Sequence, residues 1–150
     1  MGTAQFYTIL LSLFVPADLD ADLLYRPPVE PKIVPRLMAD LATAPQHARR
    51  VWVYFTDNQI APRAALDEGI EARRGELSGR ALERRARRRT SPGLLDFRDL
   101  SVATEYVRAV AATGARIRHE SRWLNAVSIE ADGTQIRAAS GLHFVRLIQP

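Results

Sequence analysis

Fourteen residues, I-R-H-E-S-R-W-L-N-A-V-S-I-E over 117–130, constrain this chain more than any other stretch. Ile117, His119, Ser121 and Trp123 alternate with Arg118, Glu120, Arg122 and Leu124. Beyond Asn125, Val127 and Ile129 alternate with Ala126, Ser128 and Glu130. Side chains that alternate in character belong to half-buried strands, because successive strand residues point to opposite faces. Two strands meeting at Asn125 are therefore expected. Asn suits such a junction: it tolerates left-handed backbone, and its side chain bonds nearby backbone groups.

The neighbouring segments place this pair in a larger order. Val51, Val53 and Phe55 alternate with Trp52 and Tyr54, which predicts a strand with both faces apolar or aromatic. One face meets the helices, and the other is an aromatic patch that something must cover. Residues 101–113 carry Ala103, Val107, Val110 and Ala111 at helical spacing, capped by Ser101 or Thr104, and Gly114 is placed to stop the helix. Asp132 or Thr134 caps a helix bearing Ile136 and Ala139 that ends near Gly141. The apolar run 144–148 is the last strand. The order strand, helix, strand, strand, helix, strand is the ferredoxin-like split βαβ plan. The expected fold is α+β: a four-stranded antiparallel sheet, two helices on one face, and a helical insertion after the first strand.

Several of these stretches also carry a family resemblance. W-L-N-A-V-S (123–128) resembles the aromatic-x-Asn-Ala signature in propeptides of bacterial subtilisin-like serine proteases. V-W-V-Y-F-T-D (51–57), Y-V-R-A-V-A-A-T-G-A-R-I-R (106–118) and F-V-R-L-I-Q-P (144–150) resemble other parts of them in the same order. R-A-L-E-R-R-A-R-R (80–88) is similar to an insertion in one bacterial branch. The resemblance covers residues 50–150. It implies an intramolecular chaperone and temporary inhibitor whose sheet face packs on the protease catalytic domain, with the C-terminal end directed into the active-site cleft. On that reading the docking residues are Trp52, Tyr54, Trp123, Asn125, Glu130 and Asp132. The two carboxylates would cap helix N-termini of the protease, which favour a negative group. Leu147, Ile148, Gln149 and Pro150 are the cleft-directed end. Family propeptides continue for several residues before their cleavage point, so ending at Pro150 suggests a fragment, a truncated product or a stand-alone remnant.

The chain itself shows no catalytic constellation. The D-T-G, H-G-T and G-T-S contexts of subtilisin-like catalytic domains do not occur, and its serines stand in S-P-G, L-S-V and A-S-G. It is not read as an enzyme by itself. His47, His119 and His143 lie at no metal-ligand spacing, and cysteine is absent, which excludes disulfides and thiolate metal sites. Neither G-x-G-x-x-G nor G-x-x-x-x-G-K is present. No metal and no cofactor is expected.

Charge is concentrated. The net charge is +4, Lys32 is the only lysine, and residues 73–89 hold eight Arg against Glu76 and Glu83. Within the long connection 57–99, Ser78 is a plausible cap for a helix with the apolar stripe Ala81, Leu82 and Ala86, and residues 64–73 suggest a second, shorter helix. Arg84, Arg85, Arg87, Arg88 and Arg89 admit three readings: a solvated helix face, a phosphate-binding surface, or an exposed site where a protease nicks the chain. A nucleic-acid-binding module is therefore one alternative, though the aromatic interleaving of a single-strand binder is missing and nucleic acid is not the expected partner. A ligand-binding regulatory domain on the same fold is another, but no Gly-rich loop marks a pocket.

Ahead of the strand at 51–55 lie two further segments. Phe6 opens an apolar run to Val15, well short of the about 20 residues that cross a membrane. Val15 and Ala17 fit a secretory cleavage site, giving a signal peptide over 1–17 and a mature start near Asp18. A buried element or a mis-assigned start codon is the competing reading. The protein is secreted or periplasmic if the signal is real and cytoplasmic otherwise. Residues 18–49, with Pro27, Pro28, Pro31, Pro35 and Pro45, read as a loosely ordered leader. Within it Pro35 could open a short helix carrying Leu37, Met38 and Leu41.

Overall fold

The computed structural model describes residues 25–60, 63–88, 95 and 99–150. Among the described residues five helices and four strands run α1 (Pro35–Thr43), β1 (Arg49–Phe55), α2 (Arg63–Gly75), α3 (Gly79–Arg88), α4 (Thr104–Ala111), β2 (Arg116–Ser121), β3 (Ala126–Ala131), α5 (Gly133–Ser140) and β4 (Val145–Gln149). The strands form one antiparallel sheet in the order β2-β3-β1-β4. The architecture is α+β, with the sheet open.

Alternation sorts the sheet into two faces. Val51, Val53 and Phe55 are buried, and β1 pairs Val51 with Ile129 and Val53 with Val127 and Ile148. Leu37 and Leu41 of α1, Tyr106 and Val110 of α4, and Ile136 and Ala139 of α5 join them in one core. Trp52 and Tyr54 lie on the opposite face and are half-buried. Phe55, Tyr106 and Phe144 pack ring to ring, with Tyr106 and Phe144 stacked at 3.9 Å between centroids.

The alternation expected for residues 117–123 is broken in two places. Arg118 is an extra residue between the pairs Ile117–Ile129 and His119–Ser128, a bulge that puts Ile117 on the core side and His119 on the other. Trp123 is not in a strand: residues 122–125 are the turn, and Trp123 and Leu124 are exposed.

The proline-rich stretch is not loose over residues 25–48. Pro35 stands at the start of α1, where its missing N–H costs no helical hydrogen bond. Leu37 and Leu41, one turn apart, are 2% and 0% exposed, whereas Met38 points outward. Ile33 forms a parallel bridge with Ile148. The Val34 N–H donates to Ile148 O at 3.1 Å, the Ile148 N–H to Lys32 O at 2.6 Å, and the Val29 N–H to Arg146 O at 3.0 Å. Residues 29–34 thus satisfy backbone groups along the outer edge of β4, which would otherwise be an open pairing template. Arg49 fastens α1 to β1: its guanidinium pairs with the Asp40 carboxylate and donates to Ala44 O and Asp40 O at the helix C-terminal end.

Helix ends follow their local chemistry in two cases and not in a third. Asp132 caps α5, accepting from the Thr134 and Gln135 N–H groups, while Gln135 accepts from the Asp132 N–H in return. Ser78 caps α3, its Oγ accepting from the Ala81 N–H at 3.4 Å. In α4 neither Ser101 nor Thr104 caps: the cap position is Ala103, with no side-chain bond, and it is buried in the core. α4 ends at Ala111, two residues short of the expected Thr113, and Gly114, at φ +88°, closes the turn that follows. The insertion holds α2 and α3, and the Arg85 guanidinium pairs with the buried Asp99 carboxylate at 2.7 Å, tying α3 to the domain. The apolar run at 6–15 and the signal peptide over 1–17 lie outside the described residues, as does Arg89.

Candidate functional site

The face of the sheet opposite the core gathers residues from all four strands. Arg50, Trp52 and Tyr54 of β1 stand beside Glu130, Ser128 and Ala126 of β3. Gln149 and Leu147 of β4 flank Trp52 and Tyr54. Arg116, His119 and Ser121 of β2 complete the face. Charge occupies one end of it. Glu130 takes the Arg116 guanidinium at 2.6 Å, with Arg118 at 3.4 Å and Arg50 at 3.8 Å. The hydrogen bond from Arg116, aided by its charge and those of Arg50 and Arg118, holds the Glu130 carboxyl below the usual carboxylate range. The other end is aromatic and apolar: Trp52, Tyr54 and Leu147, with the Gln149 side-chain amide donating to the Tyr54 hydroxyl at 3.0 Å.

Next to that apolar end lies the β2–β3 turn. Asn125 has φ +47°, the left-handed conformation its position called for. Its backbone carbonyl accepts from the Phe55 N–H at 2.9 Å, and its side-chain amide donates to Asp57 O at 2.8 Å. Asp57 in turn accepts from the Tyr106 hydroxyl at 2.9 Å. Burial first, and then the Asp57 carboxylate, push the Tyr106 phenol well above its ordinary range. Trp123, 58% exposed, stands at the tip with Arg122 near its ring. A cavity of about 30 Å³ beneath the turn is lined by Arg26, Tyr54, Asn125 and Arg146 among others.

The proposed docking residues fall into three settings. Trp52, Tyr54 and Glu130 share the outer sheet face. Trp123 and Asn125 lie on the adjoining turn. Asp132 sits past the end of β3, where one carboxylate oxygen already holds two N–H groups of α5. Of the cleft-directed end, Leu147, Ile148 and Gln149 belong to β4, Ile148 is 0% exposed in the core, and Pro150 lies just past the strand. Arg84, Arg85, Arg87 and Arg88 all lie on α3. Among the described residues no cluster of His, Cys, Asp and Glu could hold a metal ion, and no helix is long and apolar enough to cross a membrane.

Sequence reasoning missed the Asn125–Asp57–Tyr106 chain, whose members are 19 or more positions apart in sequence and carry no joint motif. It also missed Arg118, the extra residue of β2, since a bulge leaves no mark in a pattern of single residues.

An outward sheet face with aromatic residues at one end and, at the other, one carboxylate held among three guanidinium groups is suited to packing against a protein. No curated protein and no solved structure matches the chain. Residues 50–150 match the family described as the Peptidase S8 propeptide domain, Bacteroidota. The match includes all four strands but for Arg49, the first residue of β1, and the chain belongs to that family of subtilisin-like protease propeptides.

Proposed function

We propose that the domain acts as an intramolecular chaperone and temporary inhibitor of a subtilisin-like serine protease, docking the outer face of its ferredoxin-like sheet on the catalytic domain. The observation that carries this reading is that Trp52, Tyr54 and Leu147 sit together on the sheet face away from the core helices. A standard interface buries about 800 Å² on each partner, and aromatic residues near its centre dominate its energy. A domain that binds only the folded protease stabilises it by mass action. Glu130 and Asp132 are the acidic contacts of the proposal, offered to helix N-termini of the protease. The chain beyond β4, at Pro150, is the end directed to the cleft, where extended backbone pairs as a substrate strand does. A secreted or periplasmic location belongs to the same proposal.

A paired measurement of thermal stability and inhibition of a cognate subtilisin-like protease tests it. Trp52→Ala and Tyr54→Ala are expected to weaken inhibition and leave the isolated fold nearly unchanged. Val53→Ala, at 0% exposure, is expected to cost about 1–3 kcal/mol of stability. If Trp52→Ala unfolds the domain as badly as Val53→Ala, the aromatic face is core and the docking surface lies elsewhere.

A further inference from the structure

Between α3 and the β2–β3 turn runs an open cleft of about 410 Å³, lined by Leu77, Ala81, Arg84, Arg85, Arg88 and Trp123. A volume of this size takes a short stretch of peptide. One wall is apolar, formed by Leu77, Ala81 and the exposed Trp123 indole. The other is cationic. Arg85 is engaged with Asp99, which fixes the helix. Arg84 and Arg88, one turn apart and both exposed, have no carboxylate partner among the described residues. An occupant must therefore bring negative charge and apolar side chains together.

The chain carries such a segment immediately ahead of Tyr25, the first described residue. Residues 18–24 read D-L-D-A-D-L-L and lie outside the described part of the chain. Asp18, Asp20 and Asp22 recur at every second position, separated by Leu19 and Ala21, so extended backbone would offer acid on one side and apolar groups on the other. Two residues further on, Arg26 lines the small cavity beneath the turn together with Trp123, and its N–H donates to Thr56 O at 2.6 Å. Trp123 is thus common to that cavity and to the Arg cleft. Seven extended residues reach roughly 25 Å, enough to run from Arg26 past Trp123 along the cleft.

We infer that this cleft is the docking site of the chain's own acidic segment, residues 18–24, with Asp18, Asp20 and Asp22 on Arg84 and Arg88 and the leucines against Leu77, Ala81 and Trp123. The inference does not depend on the protease-docking reading. The two meet only at Trp123, which the segment would shield from any partner.

The full chain tests this in a Trp52→Phe background, where Trp123 is the one remaining tryptophan. Acrylamide quenching of its fluorescence and amide exchange of α3 are read at low salt. Neutralisation by Asp18→Asn, Asp20→Asn and Asp22→Asn is expected to raise quenching and lower protection of α3. The parent in about 1 M salt, where the screening length is ~3 Å, should behave the same way. Arg84→Glu with Arg88→Glu should reproduce the loss, and adding Asp18→Lys, Asp20→Lys and Asp22→Lys should restore both readouts. Circular dichroism of each variant checks that the domain stays folded. Quenching unchanged by neutralisation, or no restoration by the charge swap, overturns the inference. So does equal shielding of Trp123 by added heparin in the parent and the neutralised chain, which would make the cleft a site for external polyanions.

Discussion

The Asn125 side-chain amide donates to the main-chain carbonyl of Asp57 at 2.8 Å, joining the β2–β3 turn to the loop that leaves β1, 68 residues earlier. The same residue is left-handed at φ +47°. One side chain therefore serves two purposes, permitting the turn and pinning it to the loop that follows β1.

Replacing it separates the two. Asn125→Val is expected to destabilise the domain by about 1–3 kcal/mol from the strained backbone, and by roughly 1 kcal/mol more for the lost hydrogen bond. Asn125→Gly keeps the conformation and should lose only the bond. Urea denaturation of both variants decides it: equal losses would mean that the left-handed conformation carries no strain.

Leu41 is 0% exposed in a helix that precedes the family match at residue 50. Leu41→Ala should cost about 2–5 kcal/mol, as for other buried leucines. A chain beginning at Arg49 would lose Ile33, Leu37 and Leu41 from the core and uncover the edge of β4. It is expected to melt well below the full chain and to self-associate through that edge. A melting temperature equal to the full chain's would show that residues 29–34 and α1 are dispensable.

Gly133 opens α5 with its N–H donating to Pro45 O at 2.8 Å, and a Cβ added there would lie 2.8 Å from the same oxygen. Backbone meets backbone, so neither side can turn aside. Gly133→Ala should cost about 1–3 kcal/mol by overpacking. Gly75, at the end of α2, has nothing within 4 Å of its own added Cβ, and Gly75→Ala should be neutral or stabilising by up to about 1 kcal/mol. Thermal melts should show a lowered midpoint for Gly133→Ala and none for Gly75→Ala.

Glu130 titrates below its ordinary value because Arg116 donates to it, with Arg50 and Arg118 near by. Since the folded state binds this proton less readily than the unfolded one, the contribution is present above the ordinary value of 4.5 and is lost as pH falls through the folded value. Asp40, held low by its hydrogen bond from Arg49, acts in the same sense. Arg116→Ala is expected to move the Glu130 carboxyl back up, and a carbon-13 titration reads it directly. A midpoint that stays put in the variant would mean the pair does not persist in solution.

Local pattern alone determined much of this protein. The alternation of 51–55 and 127–129, a cap for α5 at Asp132 or Thr134, a turn at Gly114 and the left-handed Asn125 were all legible, because each depends on residues within a few positions; that Asp132 and not Thr134 caps, with Gln135 returning the bond, came from the structure. Trp52 and Tyr54 could be set opposite Val53 for the same reason: strand side chains alternate. Tertiary structure decided the rest. Proline content made residues 25–48 look loose, yet Ile33, Leu37 and Leu41 are core because β4 has an edge to pair and the sheet has apolar surface left to cover. Ala103 holds the cap position of α4 without a capping side chain because burial there outweighs the missing bond. The extra Arg118 in β2 and the ties from Asp57 to Asn125 and Tyr106 join residues distant in sequence, and only the pairing of the strands brings them into reach.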